Sequence, residues 1–170
     1  MWLSLWSDGV ITELDDIFFQ VVHAIAVYQE NYRIVHGDLH PDNIFIDLVD
    51  QQDRVYTVGE TQFYIPKGQL VKIGDWGLSV LYKENGDIIG DAHTLKTGYD
   101  QEDGNGPWLP NFYNKAYDVV FAAKALSLLD KSNELIKSTL AWCFGLKDRY
   151  TDEDFQDRND LLTNPRTARP

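Results

Sequence analysis

The strongest restriction on the fold lies in residues 12–33, TELDDIFFQVVHAIAVYQENYR. Leu14, Ile17, Phe18, Val21, Val22, Ile25 and Ala26 recur at intervals of three and four. That spacing predicts a helix over 13–32 with a broad apolar face. Thr12, with Asp15 three residues on, resembles a capping box at its start. A single helix cannot bury such a face by itself, so the remaining chain must pack against it. His23 lies inside the stretch and reads as a packed or half-exposed helix histidine rather than a ligand.

Downstream the period changes. NIFIDL reads as a short strand and DQQDR as a polar turn. VYTVGETQFYIP alternates around Gly59 and reads as a strand or hairpin. LVKIGDWGLSVLY is a further apolar strand with a polar interruption, and YKENGDIIG carries Asn85-Gly86 between apolar arms, a hairpin signal. From Asp91 to Asn114 periodicity gives way to Gly, Pro, Asp and Asn, the composition of a long loop. NKAYDVVFAAKALSLLD resumes helical spacing through Tyr117, Val120, Phe121, Lys124, Ala125 and Leu128. SNELIKSTLAWCFGL reads as a helix capped by Ser132, TDEDFQDRNDLLTN as a last helix, and PRTARP as a frayed tail. The order is that of an α+β domain with grouped helices.

At 170 residues the chain fits one domain with a core. Its formal charge of −12 repels phosphate backbones, which argues against nucleic acid as a partner. Charges interrupt every apolar run before it reaches membrane-spanning length, and the N-terminus lacks signal-peptide features. The one cysteine, Cys143, excludes an internal disulfide and thiolate zinc clusters, and its apolar neighbours predict a core thiol in a reducing, intracellular setting.

The chemistry concentrates in IVHGDLHPDNIFID, residues 34–47. His36, Asp38 and His40 are ligand types used in hydrolytic zinc sites, although Gly37 and Pro41 make the spacing irregular. Phosphoryl transfer offers another reading. It needs a carboxylate to orient a hydroxyl, and an amide oxygen with a further carboxylate to hold Mg²⁺. Asp38 and Asn43 stand five apart, as in a kinase catalytic loop, and Asp75-Trp76-Gly77 follows an apolar strand.

Together these motifs resemble the C-terminal lobe of the protein-kinase-like superfamily over most of the chain. The resemblance implies one lobe over 1–170. Residues 13–32 form the helix before the catalytic loop, 36–43 the loop, 75–113 the Asp-Trp-Gly element and activation-like segment, and 115–164 a helical subdomain. The implied roles are Asp38 as base, His40 near the γ-phosphate, and Asn43 and Asp75 on Mg²⁺. His36, Gly77 and Asp118 give structural support, Asp118 by holding the loop backbone. The cofactors implied are ATP and Mg²⁺, and the acceptor a protein Ser/Thr hydroxyl. The insert between Asn43 and Asp75, with VHGDLHPDNI and YDVVF, is most similar to divergent, haspin-like kinases of large DNA viruses, which implies a cytoplasmic, nuclear or virus-associated setting.

Departures matter. Gly37 replaces the loop arginine that would meet a phosphorylated segment, and no A-P-E-like triplet precedes Asp118, where GPWLP stands instead. No G-x-G-x-x-G occurs, and Lys72 runs straight into Asp75, so it reads as a strand-surface lysine. The upper lobe is expected to be absent, or supplied by a partner kinase or another chain, with Trp2, Leu3, Leu5 and Trp6 near its place. Each charge-assisted bond to phosphate contributes about 1.5–3 kcal/mol, so ATP affinity without that lobe is expected to be weak. Two alternatives stay open. One is a lobe-only pseudokinase acting as a binding module. The other is a small-molecule phosphotransferase of the aminoglycoside or choline type, which shares the H-G-D-L-H-P-x-N pattern.

Overall fold

The computed structural model describes residues 13–50, 52–85, 87–90 and 113–143. Thr12, the four apolar N-terminal residues, Gly86, most of the 91–114 loop and everything after Cys143, including the helix expected over 151–164, lie outside the described residues.

The predicted first helix is present as α1, Leu14–Tyr32. Leu14, Ile17, Phe18, Val21 and Ile25 are buried along it, as the spacing requires. Ala26 is not: it is exposed, one step off the stripe. The expected capping box is replaced by Glu13 at the N-cap with no side-chain cap bond, and Asp15 instead accepts from Asn133 Nδ2 at 2.7 Å. The helix ends where Arg33 turns left-handed (φ 48°) and its N–H returns to the Gln29 carbonyl at 3.0 Å.

Seven short strands follow: β1 (Ile34–Val35), β2 (Ile44–Asp50), β3 (Arg54–Val58), β4 (Thr61–Ile65), β5 (Gly68–Ile73), β6 (Val80–Tyr82) and β7 (Ile88–Ile89). NIFIDL is β2, and it pairs antiparallel with β5 from Ile44↔Ile73 to Asp50↔Gly68. The stretch between them doubles back as the β3–β4 hairpin, turning at Gly59 with φ 60°. Asn85 lies in the turn of the β6–β7 hairpin. LVKIGDWGLSVLY is not one strand but two in different sheets. β5 pairs β2, a 3-10 turn at Trp76–Leu78 breaks the chain, and β6 pairs β1. The break follows from Asp75, whose left-handed backbone (φ 58°, ψ 70°) cannot continue a strand.

Two helices complete the described part, α2 (Ala116–Ser127) and α3 (Glu134–Cys143). Tyr117, Val120 and Ala125 are buried on α2 as expected, but Leu128 lies beyond its end and is exposed, while Ala122, Ala123 and Leu126 fill the core. Asn133, not Ser132, caps α3: its Oδ1 accepts the Ile136 N–H at 2.9 Å, whereas Ser132 bonds Asp130. α1, α2 and α3 share one apolar core with Val35, Leu39, Ile44 and Val80, and Cys143 is buried in it. Among the described residues no helix is long and apolar enough to cross a membrane.

Gln20 explains how the sheets are fastened to α1. It is a buried polar residue on the apolar face, and its Oε1 accepts from Val71 N–H at 3.2 Å and Tyr56 O–H at 3.1 Å while its Nε2 donates to the Gln69 carbonyl at 3.1 Å. His23 is half-buried and meets the Tyr56 ring edge-on at 4.8 Å, in keeping with a packing role.

Candidate functional site

The site is built around one buried carboxylate. Asp118 stands in the first turn of α2 and is fully buried. Its Oδ2 accepts from the His36 N–H at 2.8 Å and the Tyr28 O–H at 2.7 Å, and its Oδ1 from the Gly37 N–H at 3.1 Å. Burial pushes this carboxyl above the usual carboxylate range, against the pull of those three donors. Burial and the Asp118 charge push the Tyr28 phenol far up as well, so Tyr28 remains a donor. The bonds to two consecutive backbone N–H groups set the start of the polar loop. Gly37 there has φ 82°, a left-handed conformation that glycine adopts at little cost.

From that anchor the loop is held by its own side chains. Leu39 is buried in the core and leaves Asp38 and His40 half-exposed on either side. Pro41 opens the 3-10 turn Pro41–Asn43, and the His40 ring caps it by accepting the Asp42 N–H at 3.3 Å. Asn43 is buried, and its Nδ2 donates to the Asp38 carbonyl at 2.8 Å and approaches Asp38 Oδ2 at 3.3 Å and His40 Nε2 at 3.1 Å. Asp38 Oδ2 and His40 Nε2 are 3.5 Å apart. Asp38, His40 and Asn43 therefore form one cluster, with the Asn43 amide nitrogen committed to Asp38 and its oxygen turned away from the Asp38 carbonyl.

The Asp-Trp-Gly element is tied to this cluster through Gly74. The Gly74 N–H donates to the Asn43 carbonyl at 3.0 Å, and the Gly74 carbonyl bonds His36 Nε2 at 2.9 Å. The other His36 nitrogen, Nδ1, accepts the Asp38 N–H at 3.4 Å, which assigns the ring proton to Nε2. Asp75 thus follows directly on a residue whose two backbone groups are fixed by the loop. It is exposed, and its carboxylate bonds the Gly77 N–H at 3.4 Å. Trp76 packs against His36 and Tyr28, with ring centroids 4.7 and 4.9 Å apart.

A histidine-rich zinc site does not fit this arrangement. His36 is wholly buried with both ring nitrogens engaged, and no group of three or more His, Cys, Asp or Glu suited to a metal occurs among the described residues. A Mg²⁺ ion shared with phosphates needs fewer protein ligands, and the exposed Asp75 and the Asn43 amide are oxygen-bearing side chains of the type it takes. Lys72 is a strand-surface lysine, as the sequence suggested: it is exposed and pairs with Asp47 at 3.2 Å.

Two participants escaped the sequence reading. Tyr28 supplies the third donor to Asp118, and no local sequence pattern marks it. Phe45 is 52% exposed at the start of β2, and a methyl group placed on Gly74 would lie 2.5 Å from its ring. The ring is a flat apolar surface beside Gly74.

No family model matches the chain. A segment of 86 residues, 46% of this chain, is 34% identical to a probable serine/threonine-protein kinase of Dictyostelium discoideum. That segment spans 7% of the length of the Dictyostelium protein. The similarity supports a kinase-like relationship over the matched part.

Proposed function

We propose that residues 13–143 belong to the catalytic lobe of a protein-kinase-like phosphotransferase that uses Mg-ATP and transfers to a Ser/Thr hydroxyl. The supporting observation is the double tether of Gly74, which sets Asp75 beside a loop already carrying Asp38 and Asn43. In this reading Asn43 and Asp75 would hold Mg²⁺, which would supply charge neutralisation for the phosphates. The chain's own residues do the rest. Asp38, partly exposed, accepts the hydrogen bond of the acceptor hydroxyl and orients it. Asn43 offers its amide oxygen, and Asp75 its carboxylate, to the cation. His40 reaches toward the transferred group as a hydrogen-bond donor. The exposed Phe45 ring gives the base an apolar floor.

A kinase also grips nucleotide from above with a glycine-rich loop and a lysine–glutamate pair. The 170 residues hold no G-x-G-x-x-G. In this reading those groups come from another polypeptide segment or a partner chain, and ATP affinity of these residues by themselves is weak. The long β2–β5 insert favours the protein-kinase side over the aminoglycoside and choline type, and within it the divergent viral, haspin-like group. A second reading is a lobe that docks on a partner without turnover.

A thermal shift with Mg-ATP on the wild type and on Asp75→Ala tests the proposal. The expected result is a metal-dependent rise in melting temperature that Asp75→Ala abolishes. No shift in either protein would favour the docking module.

A further inference from the structure

We propose that Tyr28 is a positioning residue for Asp75, acting through the Trp76 ring. Asp75 is a non-glycine residue in the left-handed region, φ 58° and ψ 70°, and such a conformation persists only where its surroundings hold it. Its own side chain gives little hold, since the bond to Gly77 N–H is long at 3.4 Å. The chain before Asp75 is fixed by the two Gly74 bonds. The chain after it is held by Trp76, which is partly exposed and contacts two rings. The Tyr28 ring meets it nearly perpendicularly, at 84° and 4.9 Å, and the His36 ring is tilted against it at 56° and 4.7 Å.

Both rings are aligned by one carboxylate. Asp118 Oδ2 accepts from the Tyr28 hydroxyl and from the His36 backbone N–H. His36 is also committed to Gly74 and Asp38, so its position is over-determined. Tyr28 reaches the element from α1, packed against the core, through its hydroxyl bond to Asp118 and its ring contact with Trp76. It is therefore the contact through which the helix core sets the turn that presents Asp75, and the latch contains no phosphate or salt bridge. The role of the latch in cation binding rests on Asp75 being a cation ligand, whereas the latch itself does not.

The test uses the full chain labelled with 5-fluorotryptophan, with Mn²⁺ alone as the probe. The Trp76 resonance is identified by its loss in Trp76→Phe. Tyr28→Phe keeps the ring but cuts its bond to Asp118, and we expect its Trp76 line to move less than in Tyr28→Leu while its melting temperature falls. Tyr28→Leu removes the ring, and we expect the Trp76 line to move alone. We also expect the Mn²⁺ concentration that half-broadens it to rise about fivefold. A Trp76 line unchanged in Tyr28→Leu would overturn the proposal, as would equal movement of all five tryptophan lines. If Mn²⁺ leaves the wild-type Trp76 line sharp while Tyr28→Leu still shifts it, the latch stands and the cation role of Asp75 fails. If Tyr28→Leu does not fold, the wild-type cross-relaxation between the Trp76 and Tyr28 ring protons decides, and its absence overturns the latch.

Discussion

Asp118 is the residue on which the loop geometry depends. Asp118→Ala leaves the Tyr28 hydroxyl and the His36 and Gly37 N–H groups without their acceptor. Each buried group left unpaired costs about 1–3 kcal/mol, so chemical denaturation of the variant should show a loss of about 3–5 kcal/mol. Asp118→Asn keeps the shape but turns an NH₂ toward a donor, and should be destabilised by a smaller amount. The two proteins should also differ in pH dependence. The folded carboxyl sits above its ordinary value, so between that value and its folded one the native state binds more protons than the unfolded state. Stability from this group is then greatest at low pH and falls as pH rises from about 4. The melting-temperature gap between wild type and Asp118→Asn should therefore narrow as pH is raised. A gap that widens would mean that the three donors outweigh burial. Asp118 itself was legible in YDVVF by resemblance, but Tyr28 was not, because a hydroxyl bond across 90 residues leaves no local pattern.

The hairpins and the first helix were readable because each is specified locally. The stripe from Leu14 to Ile25 and the turns at Gly59 and Asn85-Gly86 are short-range signals. What could not be read was decided by tertiary contact. The strand break at Asp75 comes from the hydrogen bonds to Gly74 and the packing of Trp76, not from any breaker residue. The α3 cap went to Asn133 rather than its equally suitable neighbour Ser132, and its amide also reaches Asp15 on α1. Asn133→Ala should cost about 1 kcal/mol or more, and Ser132→Ala distinctly less, in parallel thermal melts. Equal effects would return the cap to Ser132. The Phe45 surface makes another element-scale prediction. Gly74→Ala drives a methyl group against that ring, which is half-exposed and can swing away. The loss should be about 1–2 kcal/mol, and much of it should be recovered in the Gly74→Ala/Phe45→Ala double variant. Strictly additive losses would show that the two do not clash.

Among the described residues, three helices and three small sheets bring two loops together. The loop 36–43 hangs on α2 and the core, and the Asp-Trp-Gly turn hangs on that loop. None of the bonds described there uses a lysine or arginine, and Gly37 stands where the catalytic-loop arginine would be. Phosphorylation of the 91–114 region should therefore leave activity unchanged, and a clear rise on phosphorylation would contradict that. The α+β character could be read from the change of period along the chain, whereas the tie between the Asn43 and Gly74 backbones is a tertiary contact that no composition or periodicity encodes. The most direct measurement is equilibrium binding of labelled ATP with and without Mg²⁺, on the wild type and on Asn43→Ala. Binding should be weak, require Mg²⁺ and fall about tenfold or more in the variant. Binding indifferent to Mg²⁺, or unaltered by Asn43→Ala, would contradict that expectation.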